Sequence, residues 1–170
     1  MALSPQARLD LKLFARQVAG GDYGSGIPVE VTISEVLASG TGSGQATKVF
    51  QDVRTLALST DENLDFQTLL DPFGTALGLT KIKWLIIQAA SANAADLRLT
   101  PGSANGWDAF LSPSAALGPD IPQLDVQAGT ALVLVNSAAG YVVDAAHKVL
   151  NVENLSGAAS GIYTITIVGI

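Results

Sequence analysis

Hydrophobic and polar positions follow one period near the N-terminus and a different one in the rest of the chain. In the first segment, apolar and basic positions each recur every four residues. The apolar pairs are Leu9 with Leu13 and Phe14 with Val18, and the basic residues are Arg8, Lys12 and Arg16. This spacing is typical of one face of an α-helix. Because Ser and Pro are favoured where helices begin, Ser4-Pro5 predicts an amphipathic helix that ends at Gly20-Gly21.

From Val29 onward the period is two, with apolar residues alternating with Glu30 and Thr32, as in a half-buried strand. Further apolar runs separated by turn residues predict strands at 53–58, 64–70, 81–88, 97–99, 124–126, 131–135, 141–143, 149–152 and 162–168. Many short strands without intervening helices favour a sandwich over an α/β fold. We therefore predict an all-β, jelly-roll-like antiparallel β-sandwich at residues 29–170. Residues 1–28 are predicted to form a short N-terminal helical arm with a Gly-rich hinge.

The low charge of the chain changes this picture from fold to function. Charged residues make up 14% of the 170 residues, against about 25% in an average soluble protein. A neutral surface is typical of protein packed against neighbours, because burying charge is costly. The net charge of −6 argues against nucleic-acid binding, which needs clustered Lys and Arg. No apolar stretch approaches the roughly 20 residues of a membrane-spanning helix, and charges interrupt the N-terminal segment where a signal peptide would be apolar.

Residues for catalysis or metal binding are scarce. The chain has no cysteine and one histidine, His147, so a Ser-His-Asp triad would need that residue, with Asp144 nearby in sequence. No Gly-x-Ser-x-Gly motif accompanies it, and a solvated turn explains it better. We predict no catalytic residue, no cofactor and no metal, and a protein that is not an enzyme. The acidic segment Asp61–Asp65 is interpreted as a solvated turn, with an oxygen-ligated cation as the open alternative.

The two tryptophans and the N-terminal segment are the remaining candidates for binding. Trp84 lies in the most apolar predicted strand and is expected in the core, whereas Trp107 lies in a Pro- and Gly-rich loop and is left open as a sugar-stacking residue. The predicted N-terminal helix either faces water or docks on a partner. The candidate docking residues are Arg8, Leu9, Lys12, Leu13, Phe14 and Arg16.

Segments between residues 63 and 170, roughly two-thirds of the chain, resemble the structural proteins of tailed-phage virions. The resemblance is carried by Asn63–Phe66, Asp71–Gly74, Lys81–Ile87, Val126–Gly129, Leu132–Leu134, Gly140–Asp144, Leu150–Asn154 and Tyr163–Gly169. It implies a capsid decoration or cement protein that binds the outside of the shell and stabilises it. The implied partners are the major capsid protein and further copies of this chain, as a dimer or trimer. The implied location is the virion surface, with the host cytoplasm during assembly.

Two functions of other classes remain as alternatives. One is a receptor- or glycan-binding module of a phage tail fibre or baseplate, which would expose Trp107. The other is a small hydrolase that depends on His147.

Overall fold

A computed structural model describes residues 7–18, 26–110 and 123–170; the side chains of residues 11–18, 26–31 and Ile33 are not included. The described residues form twelve β-strands and no helix. In chain order they are β1 (Ala7–Val18), β2 (Gly26–Ser39), β3 (Gln45–Ala46), β4 (Lys48–Leu56), β5 (Asp61–Asp65), β6 (Lys81–Ala89), β7 (Leu97–Pro101), β8 (Leu124–Val126), β9 (Ala131–Val135), β10 (Tyr141–Val142), β11 (Val149–Asn154) and β12 (Gly161–Gly169). The prediction of an all-β fold is confirmed.

From β4 onward the strands pair in a nested order. The outermost pair is β4 with β12, followed inward by β5 with β11, β6 with β9, and β7 with β8, all antiparallel. Two further pairings, β12 with β6 and β11 with β7, gather these strands into two sheets. One sheet has five strands: β4, β12 and β6 lie side by side in that order, and β9 and β10 both pair with the remaining edge of β6. The other sheet has four strands in the order β5-β11-β7-β8.

The two sheets share one hydrophobic core, built from alternate residues of their strands. The five-stranded sheet contributes side chains such as Phe50, Leu85 and Ile165, and the four-stranded sheet contributes residues such as Leu99 and Leu150. All of these are buried. Because successive side chains of a strand point to opposite faces, the intervening residues form the outer face of each sheet.

The N-terminal segment is a β-hairpin, so the predicted helical arm is not what the structure has. β1 pairs antiparallel with β2 over its whole length, from Ala7 opposite Leu37 to Val18 opposite Gly26. A spacing of four does not discriminate between the two structures, because positions i and i+4 also share one face of a strand. The sequence Arg8-Leu9-Asp10-Leu11-Lys12-Leu13 alternates strictly, which is the strand pattern.

A second, smaller core anchors the base of this hairpin to the outside of the five-stranded sheet. Leu37 is fully buried there, against Trp84 and Val168 of the sheet, with Ala7 and Leu9 of β1 packed on the same cluster. The short strand β3 runs parallel to the end of β2 and completes a three-stranded sheet. The hairpin therefore leaves the body from one defined face.

Several predicted boundaries also differ. The boundary between residues 28 and 29 lies inside β2; of the predicted hinge, residues 22–25 lie outside the described residues and 26–28 belong to the strand. Asp61–Asp65, interpreted as a turn, is strand β5. The strand predicted at 64–70 ends at Asp65, because its carboxylate accepts the Gln67 amide and its carbonyl accepts the Thr68 and Leu69 amides. These bonds form a turn instead of a ladder.

Candidate functional site

The outer face of the five-stranded sheet carries no charged side chain from Trp84 to the far end of β6 and across to β4, and this region is called the uncharged face. It consists of Val49, Gln51, Val53 and Thr55 of β4, Ile162, Thr164, Thr166 and Val168 of β12, Trp84, Ile86 and Gln88 of β6, and Ala131, Val133 and Val135 of β9. Every one of these positions is apolar, hydroxyl or amide. In a chain with nine basic and fifteen acidic residues, none of these positions is charged. The nearest charges on the same side of β6 are Lys81 and Lys83, at its first end beside Gly140, where Lys83 Nζ donates to the Ala138 carbonyl at 2.6 Å.

Strand register arranges these residues in rows across the sheet. One row runs from Gln51 through Thr166 and Ile86 to Val133, with Gln51 Nε2 donating to Thr166 Oγ1 at 3.2 Å. The row at the Trp84 end lies beneath the hairpin base, and the remaining rows carry no described element. Val53 is 65% exposed. Exposed β-branched residues without charge form the kind of surface that buries well against another protein.

The outer face of the four-stranded sheet is different in kind. Arg98 and Asp125 form a two-bond ion pair, with Nε to Oδ1 at 2.9 Å and Nη2 to Oδ2 at 3.1 Å, which lowers the pKa of Asp125. Asn151 Nδ2 donates to the side-chain oxygens of Asp61 and Asn63 in the next strand, at 2.6 and 3.2 Å. Hydrated charges and amides cover this side, as on an ordinary solvent-facing sheet.

A charged network lies where β4 and β5, the first strands of the two sheets, come together. Glu62 Oε2 accepts from Arg54 Nη1 at 2.7 Å, and Glu62 Oε1 accepts from the Tyr163 hydroxyl at 2.6 Å. Burial, followed by the hydrogen bond to this carboxylate, raises the pKa of Tyr163. Arg54 Nε lies 3.3 Å from Asp52 Oδ2 without hydrogen-bond geometry, and it has no hydrogen-bond partner among the described residues. The network joins the two sheets at this edge.

The carboxylates of the acidic segment Asp61–Asp65, the candidate cation site, bind other side chains of the protein. Asp61 binds Asn151, Glu62 belongs to the edge network, and Asp65 Oδ2 lies 2.8 Å from Lys148 Nζ. Desolvation opposes ionisation of Asp65, but the Lys148 hydrogen bond, the backbone amides and the Lys148 charge together lower its pKa. Across the residues that the structure describes, no group of three or more His, Asp or Glu side chains is placed to hold a metal ion.

His147 and Asp144 form a local pair in an exposed turn. His147 Nδ1 lies 3.0 Å from Asp144 Oδ1, and the same oxygen accepts the backbone amides of Ala146 and His147. These contacts, the Ala146 amide first, lower the pKa of Asp144. The carboxylate thus caps the turn that precedes β11, and the imidazole lies beside it.

Both tryptophans are buried, in different clusters. Trp107 has no exposed surface; its Nε1 donates to the Val142 carbonyl at 2.9 Å, and it packs edge-on against Phe66 and Tyr141. The described part of the loop around it directs Trp107 and Phe110 toward the core. Trp84 is buried as expected, but on the outer side of its sheet beneath the hairpin base, where Nε1 donates to Ser137 Oγ.

The N-terminal docking candidates all lie on β1. Arg8 is exposed, with Nε 2.7 Å from Asp10 Oδ2, and Leu9 packs against the second cluster. Lys12, Leu13, Phe14 and Arg16 belong to the part of β1 whose side chains are not described.

Two surface features escaped the sequence analysis. Phe73 is 88% exposed at the tip of the tight turn Asp71–Gly74, where Asp71 Oδ1 accepts the amides of Phe73 and Thr75. The exposure of this aromatic side chain was not predicted. The uncharged face was missed because its residues come from four separate strands. The alternation in Tyr163-Thr164-Ile165-Thr166-Ile167 was the available signal, since it leaves only Thr on the outward side.

Comparisons with models of protein families, with curated proteins and with solved structures found no match to this chain. In the described part of the chain there is no helix long and apolar enough to cross a membrane.

Proposed function

We propose that this protein is a structural assembly protein that binds protein neighbours through the uncharged face. The observation that carries the proposal is the contrast between the uncharged face and the outer face of the four-stranded sheet, which carries ion pairs and amides. Burying Val is favourable, and burying the hydroxyl of Thr or the amide of Gln costs less than burying a charge, which costs on the order of several kcal/mol per ion. The uncharged face is therefore the side on which neighbours are accommodated.

We further propose that the body is a jelly-roll β-sandwich. The support is the nested pairing of β4 with β12, β5 with β11, β6 with β9 and β7 with β8, which is one long antiparallel hairpin wrapped into two sheets. Jelly rolls are eight-stranded, two-sheet structures common among viral capsid proteins and lectins. The strand β10 is an addition to the eight paired strands.

The resemblance to tailed-phage virion proteins makes the outer surface of a capsid the proposed site of assembly. In this role the chain binds the major capsid protein and copies of itself, and stabilises the shell without catalysis. Many modest contacts, engaged together, give high avidity. The burial of Trp107 counts against the alternative of a glycan-binding tail module, because that alternative rested on an exposed Trp107. The hydrolase alternative gains nothing from His147, which lies in a turn beside Asp144.

A matched pair of substitutions tests the docking face. Thr164 and Thr100 are both half-buried threonines at outward strand positions, one on the uncharged face and one on the opposite sheet. Thr164→Lys is expected to abolish co-sedimentation of the purified chain with phage heads made without it. Thr100→Lys is expected to leave binding unchanged. Equal binding by both variants would contradict the proposed face.

Immunogold labelling of intact particles tests the location independently. An antibody against the purified chain is expected to label the heads. Label confined to the tail tip would favour the receptor-binding alternative, and unlabelled particles would overturn the virion assignment.

A further inference from the structure

β4 is an edge strand whose outward side carries no described neighbour. Among the described strands it pairs only with β12, over nine residues from Lys48 to Leu56. A long edge with unpaired N–H and C=O groups is a template for another strand. Which residues present those groups follows from the adjacent ladder.

In an antiparallel sheet, the N–H and C=O of one residue point to the same side, and successive residues alternate. The Ala90 amide donates to the Ile162 carbonyl, and these two residues continue the β6–β12 register, so Ile162 and the other even residues of β12 bond to β6. The odd residues of β12 therefore bond to β4, where their partners have even numbers, such as Asp52 opposite Ile165. The backbone groups of Val49, Gln51, Val53 and Thr55 consequently point away from the sheet.

The inward side of this edge carries one acidic and one basic residue, two positions apart. Asp52 and Arg54 flank Val53, on the opposite face from its side chain, and both are partly exposed. If a second copy pairs antiparallel about a two-fold axis at Val53, Asp52 of each copy lies directly opposite Arg54 of the other. The same register places Gln51 opposite Thr55 and Val53 opposite its own counterpart.

Neighbouring registers lack this complementarity. An axis at Asp52 would place the two Asp52 carboxylates opposite each other, and an axis at Arg54 would do the same for the two guanidinium groups. An axis at Gln51 would place Asp52 opposite Phe50. Like charges directly opposite on paired strands are destabilising, whereas opposite charges are stabilising. Arg54 Nε, which has no hydrogen-bond partner among the described residues, also gains a carboxylate in the Val53 register.

We infer that two copies of this chain associate through their β4 strands, antiparallel about Val53, to form one continuous sheet across both copies. The inference rests on the proposed assembly function and deepens it by naming the self-association edge. The uncharged faces of the two copies then lie side by side and present a single larger docking surface.

Cysteine cross-linking tests the register, because the chain has no cysteine of its own. Directly opposed residues in a hydrogen-bonded antiparallel pair have Cα atoms about 5.5 Å apart, within the range for a disulfide. Val53→Cys is therefore expected to form a disulfide-linked dimer under mild oxidation. In a dimer of Gln51→Cys alone, or of Thr55→Cys alone, the two cysteines are offset by four residues along the strands. At ~3.4 Å per residue this is about 14 Å, so neither variant should cross-link on its own. Mixed together, these two variants should cross-link with each other.

A charge substitution tests association without cross-linking. Light scattering of the wild-type chain is expected to give twice the chain mass of 17.4 kDa. Val53→Glu places two carboxylates opposite each other and should give the monomer mass. Val142→Glu, at an exposed valine of β10, is the matched control and should stay dimeric.

A wild-type chain that stays monomeric at high concentration, with no Val53→Cys cross-link, would overturn the inference. So would cross-linking of Gln51→Cys or Thr55→Cys alone. If one of these results is found and the chain still binds phage heads, only the self-association inference fails and the proposed function is retained. A dimer that does not bind heads would contradict the proposed function instead.

Discussion

Replacing Trp107 with alanine is expected to destabilise the fold severely, by about 4 kcal/mol. The side chain is fully buried between Phe66, Phe110 and Tyr141, and its Nε1 donates to the Val142 carbonyl. A buried tryptophan removes about 200 Å² from water, worth about 5 kcal/mol at ~25 cal/mol/Å², which is an upper estimate. Measured losses for such truncations are about 3–5 kcal/mol, and the lost hydrogen bond contributes about 1 kcal/mol. This loss is a large share of a typical domain's total stability.

Urea unfolding followed by far-ultraviolet circular dichroism measures this loss. Phe73→Ala is the control, because Phe73 is an exposed aromatic and its removal should change the free energy of unfolding by less than about 0.5 kcal/mol. Trp107→Phe keeps most of the packing and should cost about 1–2 kcal/mol, since the Val142 carbonyl loses its donor. A loss below about 1 kcal/mol for Trp107→Ala would refute the packing argument and return Trp107 to the candidates for ligand stacking.

Three further predictions concern the edge network, the acidic segment and the hairpin base. Tyr163→Phe removes the hydroxyl donor to Glu62 and should lower the free energy of unfolding by about 1.5–3 kcal/mol in the same urea assay, with stability unchanged as the contrary result. The pKa of Asp65 is lowered in the folded state, so its contact with Lys148 stabilises above the unfolded value of 3.8 and is lost as pH falls below it. Asp65→Asn should therefore lose less stability than the wild type between pH 6 and pH 3; parallel losses would contradict this. Leu37→Ala should cost about 2–5 kcal/mol and accelerate amide hydrogen exchange in β1, whereas unchanged exchange would mean that this side chain does not anchor the hairpin.

Hydrophobic periodicity made the β character of the body predictable. The same signal was ambiguous at the N-terminus, where the strand was not predicted. In the body, the residues from Val29 alternate with a period of two. Runs such as Lys81–Gln88 are too short for helices and are rich in β-branched residues. At the N-terminus, Leu9 and Leu13 satisfy both periods, and the strict alternation from Arg8 to Leu13 is the signal that favours a strand. The pairing of β1 with β2 is a contact between segments, which no local pattern contains.

The docking face could be predicted only in part. Low overall charge indicated assembly, but where the charge is absent depends on which strands are adjacent. Gln51, Thr166, Ile86 and Val133 form one row although up to 115 residues separate hydrogen-bonded neighbours in it. Asp61–Asp65 was interpreted as a turn because Asp and Asn are favoured in turns, whereas Asn151 and Lys148 provide partners for these side chains in a strand.

Three independent features of the chain lie on one side of the molecule, and their coincidence strengthens the assembly proposal. The hairpin base packs on the five-stranded sheet at Trp84, the uncharged rows continue from there, and the sheet ends at the free edge of β4. Of the ion pairs, Arg98–Asp125 lies on the opposite sheet and Arg54–Glu62 points inward at the β4–β5 edge, whereas Arg8–Asp10 lies on the hairpin and not on the sheet itself. An ordinary solvated sandwich has no reason to segregate charge in this way. A subunit that extends its sheet through β4 and covers a neighbour with its uncharged face requires it, because every charge on that side would be desolvated in each copy of the repeated contact.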